Sequence, residues 1–423
     1  MNPQEPHAQE PHAQEPHAQE ANPLIEGRPG LARLLDVLGR DGEEARIVGG
    51  AVRDWLSGRG VRADIDIATT ARPDEVMRRA RAAGLKLVPT GIEHGTVTVI
   101  AQAEPYEVTT LREDVETDGR RARVVFGRDW AHDAARRDFT MNALYLTRAG
   151  ELVDLVDGAA DVRAGRVRFI GDPDMRIRED YLRILRLFRF HAAFGQGPMD
   201  APALAAAIRN REGLARLSRE RVRVELMKLL IAPRAAETLA QMRDAGVLPL
   251  VLGRQGDVAA VTRLVAIEAA WGLPPDAVRR LGALAVRDET DAQALREGLR
   301  LSNADALRLA ALAGPAPTPA MCEKGQKAFL YRMGRTAFQD RALIAFARAG
   351  APLEDEGWRA LANLAAGWPM PTFPLKAADF LSRGLTPGPA LGSALKRAED
   401  VWVEAGFPVA PAALEQIVGA VLA

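Results

Sequence analysis

Runs with the alternating apolar pattern of β-strands lie only before residue 172 of this 423-residue chain, and this asymmetry constrains the fold most strongly. Five such runs predict strands, at 45–48, 64–69, 85–88, 96–101 and 106–111. Beyond 172, Ala, Leu and Arg recur at helical spacing between breaks rich in Gly and Pro. The pattern predicts an α+β fold, with a mixed sheet and helices over 25–148 and an all-helical remainder.

The segments outside the predicted sheet differ in character. Residues 4–18 are three copies of Gln-Glu-Pro-His-Ala, a polar repeat that cannot bury a core. We therefore predict that 1–22 is a disordered tail rather than a metal-binding one. Short apolar runs around polar turns over 149–171 predict a hairpin that links the sheet to the helices.

Composition argues against several classes of protein. No run of 18 apolar residues without charges occurs, and the N-terminus lacks the pattern of a secretory signal, so neither membrane insertion nor secretion is expected. The single Cys322 excludes an internal disulfide, a zinc ribbon and an iron–sulfur cluster, and a reducing cytoplasm fits best. The 56 basic and 56 acidic residues give no net charge, which argues against a global polyanion binder.

A glycine pair and two aspartates form the first group of candidate site residues. Gly49 and Gly50 lie between a predicted strand and helix, where backbone N–H groups can approach a phosphate, and Arg53 could clamp a phosphate oxygen. On a strand, Asp64 and Asp66 point to the same face, and two such carboxylates predict a Mg²⁺ site for phosphoryl or nucleotidyl transfer. Taken separately, an ordinary turn and a solvated edge strand would explain them equally well.

Two further motifs carry polar groups of the same kind. Glu107 sits in a β-branched run, where it is either a third acidic ligand or a solvent-facing side chain. Arg137 and Asp138 together offer the donors and acceptors that a base edge requires, and Asn142 can stabilise a turn or contact a ribose. The alternative for this second motif is a salt-bridged helix surface.

A stripe of arginines forms the last group. At helical spacing, Arg183, Arg186 and Arg189 fan across one side of a helix, whereas Phe188 lies on the opposite side and can pack inward. Asp180 precedes Arg183 by one turn, so the two can form a pair. The stripe predicts an anionic ligand, because an ordinary solvated face mixes charges of both signs.

In this order, the motifs resemble those of class II nucleotidyltransferases, the CCA-adding tRNA nucleotidyltransferases and bacterial poly(A) polymerases. The resemblance covers 45–230 and implies a polymerase-β-like catalytic head, a neck with a base-reading helix over 149–235, and a helical body and tail for tRNA binding over 236–423. It is carried by Gly-Gly-Ala-Val-Arg-Asp, Asp-x-Asp, Arg-Arg-Asp-Phe-Thr-Met-Asn-Ala-Leu, Glu-Asp-Tyr-Leu-Arg and Ser-Arg-Glu-Arg-Val-x-x-Glu-Leu.

The resemblance also implies roles for the candidate residues. Asp64 and Asp66 would hold two Mg²⁺ ions, one activating the RNA 3′-hydroxyl and the other holding the triphosphate of CTP or ATP. The phosphates and ribose would meet the glycine pair, Arg53 and the Arg137 motif. The base edge would be read by Asp180 and Arg183, with Arg186 and Arg189 extending that pocket.

Two other functions stay open from the sequence. Poly(A) addition uses the same motifs, but the Gly/Pro-rich segment over 374–392, followed by Trp402, resembles the tail of CCA-adding enzymes and favours CCA addition to the tRNA acceptor end. A catalytically silent RNA-binding protein on the same scaffold is disfavoured by the intact Asp64 and Asp66 pair.

Overall fold

The computed structural model describes residues 24–60, 64–88, 95–118 and 121–423, with side chains described outside 113–125. The repeat predicted to be disordered lies outside the described residues. The chain divides into two compact units. The first runs to residue 183 and includes 194–206, and the second comprises 184–193 and 207–423.

All the strands of the described residues belong to the first unit. They are β1 (Ala45–Val48), β2 (Asp66–Thr69), β3 (Lys86–Val88), β4 (Thr96–Ala101), β5 (Glu104–Thr110), β6 (Arg112–Asp118), β7 (Arg121–Phe126), β8 (Leu144–Leu146) and β9 (Leu152–Asp154). Seven of them form one mixed sheet in the order β3-β4-β5-β2-β1-β8-β9. The strand β2 pairs antiparallel with β1 but parallel with β5, and this parallel pair places the candidate carboxylates.

One predicted strand is shorter in the structure, because the run over 64–69 becomes a strand only from Asp66. Its partner β1 ends at Val48, which pairs with Asp66. Beyond Val48 the chain turns at Gly49, which has a φ of 76°. Asp64 therefore has no ladder partner on that side and lies exposed before the strand.

The hairpin of β6 and β7 was not predicted. The two strands pair antiparallel as a separate two-stranded sheet. The sequence of β6, Arg-Glu-Asp-Val-Glu-Thr-Asp, is mostly charged and lacks the apolar alternation by which strands are recognised. The hairpin predicted over 149–171 is present in part, because β9 pairs with β8, but residues 158–164 form a helix.

The helices of the first unit surround the seven-stranded sheet. They are α1 (Pro29–Leu38), α2 (Gly50–Leu56), α3 (Pro73–Ala82), α4 (Trp130–Arg136), α5 (Gly158–Ala164) and α6 (Pro173–Glu179). The helix α3 begins at Pro73 and carries Asp74 and Glu75 in its first turn, where carboxylates complement the helix dipole. The next helix, α7 (Leu182–Phe194), contributes residues to both units.

Everything after the sheet is helical, as the sequence predicts. After α8 (Ala201–Asn210) come α9 (Arg219–Leu230), α10 (Ala235–Asp244), α11 (Val247–Leu252), α12 (Val258–Ala270), α13 (Ala277–Ala285), α14 (Glu289–Gly298), α15 (Asn303–Ala310), α16 (Glu323–Met333), α17 (Arg335–Ala349), α18 (Glu356–Gly367), α19 (Ala377–Leu381), α20 (Pro389–Glu404) and α21 (Pro411–Leu422). Nowhere in the described ranges does a helix combine the length and apolarity that crossing a bilayer requires.

A buried ionic cluster ties the helices of the second unit together. Asp340 on α17, which is 1% exposed, accepts hydrogen bonds from Arg279 and Arg308 at 2.8 Å each. Glu268 on α12 accepts from Arg279 at 2.9 Å and from Arg280 at 2.8 Å. Because each buried charge has a partner of opposite sign, the cluster fixes how these helices pack.

Candidate active site

The parallel register of β2 and β5 places Asp66 directly opposite Glu107. Neighbouring strands lie about 4.8 Å apart, and residues paired in parallel register share a face of the sheet. Burial, followed by the charges of Glu107 and Asp64, raises the pKa of Asp66 from 3.8 to about 6, and Arg137 opposes this rise. The charges of Glu107 and Asp64 therefore act on Asp66, and the role of the three carboxylates as metal ligands stays a prediction. We call Asp66 and Glu107 the carboxylate pair.

The carboxylate pair fits a divalent cation. Repulsion between ionised carboxylates is relieved when a cation lies among them, and carboxylate oxygens are the ligands that Mg²⁺ and similar ions prefer. Among the residues that the structure describes, no three carboxylate, imidazole or thiol groups converge closely enough to enclose an ion by themselves. With Asp66 and Glu107 as ligands, water and substrate oxygens would complete the ligand set of such an ion.

The glycine pair forms a tight turn at the end of β1. Gly49 adopts a positive φ of 76° and donates its N–H to the carbonyl of Leu144 at 3.1 Å, and Gly50 begins α2. A Cβ added to Gly49 would lie 3.7 Å from Nη1 of Arg137 and 3.8 Å from the carbonyl oxygen of Asn142. The turn therefore packs directly against Arg137 and Asn142 of the second predicted motif, because glycine has no side chain between them.

The predicted phosphate clamp, Arg53, is buried and bonded to protein groups. Its Nη1 donates to Oδ1 of Asn142 at 2.7 Å, and its Nε and Nη2 donate to Oδ1 of Asp54 at 2.9 and 2.7 Å. The guanidinium also lies 3.9 Å from the ring centroid of Phe194. These contacts position Arg53 beneath the glycine turn. Its contact with phosphate stays a prediction.

The second motif is held by two residues that the sequence analysis did not single out. Asp133 accepts two hydrogen bonds from Arg137, at 3.1 and 3.0 Å, and one from the hydroxyl of Tyr145 at 2.8 Å. Although burial opposes ionisation, Arg137 holds the pKa of Asp133 below its usual value. Asn142 donates to Oδ1 of Asp138 at 3.0 Å. The four-residue spacing between Asp133 on α4 and Arg137 just after its end was the available signal.

The predicted pair of Asp180 and Arg183 does not form. The guanidinium of Arg183 instead pairs with Glu179 and donates to the carbonyl of Arg176 at 2.7 Å. Asp180 lies in extended backbone after the last residue of α6, and its carboxylate accepts the N–H of Leu182 at 3.1 Å, at the start of α7. The local turn therefore gives Asp180 a capping role and leaves Glu179 to bind the arginine.

The other two arginines of the stripe, both in the second unit, meet a carboxylate from α9. Glu225, which is 5% exposed, pairs with Arg189 and lies 3.9 Å from Arg186. Both guanidinium groups also lie near the ring of Phe190. The prediction of a purely cationic face therefore needs correction, because a residue 36 positions later in the chain supplies the negative charge. Phe188 is fully buried, as predicted.

Taken together, the fold and the site define a nucleotidyltransferase head followed by helices. Residues 45–168 match the model of the poly A polymerase head domain, and 199–253 match the model described as the probable RNA and SrmB-binding site of polymerase A. The chain belongs to the family of CCA tRNA nucleotidyltransferases and poly(A) polymerases, as its motifs predict.

Relatives with known names support this assignment along most of the chain. The mitochondrial CCA tRNA nucleotidyltransferase 1 of Danio rerio is 34% identical over 390 residues, which cover 89% of this chain and 88% of that protein. The CCA-adding enzyme of Leuconostoc citreum is 42% identical over 224 residues, covering 52% and 54% of the two chains. The crystal structure of the Bacillus stearothermophilus CCA-adding enzyme in complex with CTP matches with a TM-score of 0.69 at 27% identity, covering 89% of this chain and 93% of that one.

Proposed function

We propose that this protein adds CCA to the 3′ end of tRNA from CTP and ATP, without a nucleic-acid template, and releases pyrophosphate. The observation that carries the catalytic part is the carboxylate pair beside the glycine turn, where Asp66 and Glu107 meet across parallel strands. The choice of CCA addition is supported by relatives named for it whose similarity extends along 89% of this chain. This span includes the helical second unit as well as the head.

The head residues have distinct parts in this proposal. Asp64, Asp66 and Glu107 would hold Mg²⁺, which when bound neutralises the triphosphate and assists loss of a proton from the RNA 3′-hydroxyl. The backbone N–H of Gly50, at the start of α2, would donate to the phosphates, and Gly49, whose N–H is bonded to Leu144, would shape the turn. The remaining work of the chain is positioning, since phosphoryl-transfer chemistry of this type needs no covalent enzyme intermediate.

The guanidinium groups near the glycine turn would complete the phosphate and ribose contacts. Arg137 borders Gly49 and is fixed by Asp133. Arg53 supports the turn through Asn142, which in turn orients Asp138. Because these side chains are linked by hydrogen bonds before any nucleotide arrives, the site would bind phosphate with little rearrangement.

Base selection is assigned to the start of α7. Asp180 offers acceptor oxygens and Arg183 offers donors, so together they can pair with the Watson–Crick edge of cytosine or adenine. Glu179 restricts the orientation of Arg183, which makes the choice of base a property of the protein rather than of a template. Arg186 and Arg189 would extend this pocket along the helix.

The remaining parts of the proposal concern where the enzyme works and what it binds. The helices of the second unit would hold the acceptor end of tRNA. The region from 209 to 234, with eight basic and three acidic residues, supplies positive charge of the kind that a nucleic-acid backbone needs. We place the enzyme in the cytoplasm because it carries a single cysteine, and fractionation of cells tests this placement.

Product analysis at single-nucleotide resolution tests the function. The protein is given tRNAs that end before CCA, after C and after CC, each with CTP, ATP or both, and a generic RNA with ATP. We expect ordered addition of C, C and A that stops at three nucleotides. Long A tracts on generic RNA would identify a poly(A) polymerase, and binding without incorporation would identify a silent RNA-binding protein.

Two variants separate catalysis from folding in this experiment. Asp66→Asn should end incorporation while tRNA binding persists, because the change removes a cation ligand and not a packing group. Glu151→Gln, an exposed carboxylate in the hairpin of β8 and β9, is the matched control and should retain activity. For base reading, Arg183→Ala should reduce the selectivity among the four nucleotides more than it weakens RNA binding. A uniform loss for all four would contradict that role.

A further inference from the structure

Arg176, near the end of α6, connects the two motifs to which nucleotide binding has been assigned. Its side chain is 11% exposed, so its charge is largely removed from solvent. Its Nη2 donates to the backbone carbonyls of Arg136 and Arg137, at 2.5 Å each. Those carbonyls lie where α4 ends and have no helical partner of their own, so the guanidinium closes the helix with a charge of the favourable sign.

The other side of the same guanidinium faces the base-reading segment. Nη1 of Arg176 donates to Oε2 of Glu179 at 2.5 Å, and the same Glu179 oxygen accepts from Arg183. Arg183 also donates to the backbone carbonyl of Arg176 at 2.7 Å. Arg176, Glu179 and Arg183 therefore form a closed set of hydrogen bonds, which we call the α6 clasp.

The burial of a charge at this place needs a reason. Burial and the neighbouring Arg183 lower the pKa of Arg176, so its surroundings disfavour the charge that it carries. Its Nε is buried without a hydrogen-bond partner in the structure, which adds to that cost. A guanidinium is the side chain that can reach two carbonyls and a carboxylate at once from fixed directions, whereas a lysine offers a single point charge.

We infer that Arg176 is a positioning residue that holds the Arg137 segment and the Arg183 side chain in one fixed arrangement, so that phosphate placement and base choice are coupled. The inference rests on the proposed function for the roles of Arg137 and Arg183. Movement of α6 would displace both at once. The guanidinium of Arg176 bonds to the carbonyls of Arg136 and Arg137. Its backbone carbonyl and the carboxylate of Glu179 bond to Arg183. A base that contacts Arg183 would thereby act on the same set of hydrogen bonds that holds the segment receiving the phosphates.

Equilibrium binding of two probes tests the coupling without turnover. Inorganic tripolyphosphate reports the phosphate site alone, and the ratio of the dissociation constants of UTP and CTP reports base choice. For Arg176→Gln we expect that ratio to fall by about 10- to 100-fold, and tripolyphosphate affinity to fall several-fold. The ratio is insensitive to partial unfolding, because unfolded protein binds neither nucleotide.

Three further variants sharpen the test. Arg178→Gln, on the same helix but with a side chain 62% exposed, is the control and should change neither quantity. Glu179→Gln should lower the UTP to CTP ratio more than it lowers tripolyphosphate affinity. It weakens the contacts of Glu179 with Arg183 and Arg176, whereas the bonds of Arg176 to the α4 carbonyls remain. Arg176→Lys, which retains the charge, should give intermediate values and serves if the glutamine variant does not fold.

The outcomes separate this inference from the proposed function. If folded Arg176→Gln changes one probe only, or neither, the coupling is refuted. If the unsubstituted protein binds all four nucleotides alike, the proposed base selection fails. The coupling is then decided by combining Arg176→Gln with Arg183→Ala, since coupled residues lose CTP affinity non-additively and independent ones additively.

Discussion

Replacement of Asp66 by asparagine should stabilise the metal-free protein. Burial and the charges of Glu107 and Asp64 raise the pKa of Asp66 from 3.8 to about 6. In the unfolded chain this carboxyl ionises at its ordinary value, so at neutral pH folding places an ionised group in surroundings that disfavour it. A difference of roughly 2 pKa units corresponds to about 3 kcal/mol, and partial solvent screening reduces the expected gain to about 1–3 kcal/mol.

The sign of the effect gives a pH profile. A carboxyl with a raised native pKa costs no stability below its unfolded pKa of 3.8, because both states are then protonated. The cost grows as the pH rises from 3.8 to about 6 and is constant above that. The stability gained by Asp66→Asn should follow this curve, and at neutral pH it corresponds to a rise in unfolding temperature of about 2–4 °C per kcal/mol.

Thermal unfolding in a chelator, and then with Mg²⁺, measures both parts of the prediction. The cation should stabilise the unsubstituted protein more than Asp66→Asn, because a ligand of the native state stabilises in proportion to its affinity. Glu151→Gln should unfold like the unsubstituted protein under all conditions. If Asp66→Asn unfolds at the same or a lower temperature in chelator at neutral pH, the carboxylates do not repel one another and the cation site loses its physical basis.

Three other substitutions address the turn and the second unit. Gly49→Ala should lower kcat/KM about fivefold, because a strain of about 1–2 kcal/mol at its positive φ would shift the turn beside Arg137. Gly58→Ala is the control, because it has a similar positive φ but faces open space. Glu225→Gln should lower the free energy of unfolding by about 1–3 kcal/mol, since its charge holds Arg189. Asp340→Ala should cost about 3–5 kcal/mol in thermal unfolding, because buried Arg279 and half-buried Arg308 lose the carboxylate that they share.

Each of these has an outcome that contradicts it. Equal kinetic losses for Gly49→Ala and Gly58→Ala would show that the turn beside β1 has no special part in binding nucleotide. An unchanged unfolding temperature for Glu225→Gln would mean that the contact with Arg189 is not maintained in solution. If Asp340→Ala unfolds like the unsubstituted protein, the ionic cluster does not hold the helices together.

Local pattern allowed much of the head to be predicted from the sequence. The strands over 45–48 and 96–101 have the predicted bounds. The second alternates buried and half-buried residues along its length, and three of the four residues of the first are buried. Asp64 lies outside the observed strand because pairing between β1 and β2 stops where β1 ends. The sequence of 64–69 does not show where the partner strand ends. Helix and strand periodicity describes a segment alone, whereas ladder length depends on the neighbouring strand.

The contacts around the arginines could not have been predicted for a related reason. Glu225 reaches Arg189 from another helix, and Arg176 reaches the carbonyls of α4 from 39 or more positions away. Nothing in the spacing of charges along the chain reveals which helices pack together. The contact between Glu179 and Arg183 could have been predicted, because the two residues are four positions apart. Comparing Glu179 with Asp180 as a partner of Arg183 would have favoured Glu179, the partner observed in the structure.

The parallel pairing of β2 and β5 has a consequence for how such sites vary in length. Asp66 and Glu107 are neighbours because of the register between β2 and β5. Along the chain they are separated by α3 and by β3 and β4 of the same sheet. Insertions or deletions in the segment between the two carboxylates would alter their distance along the sequence without altering their separation in space. A pattern search with fixed spacing would therefore find the Asp-x-Asp element and lose the glutamate, whereas a search for a strand of suitable alternation would recover it.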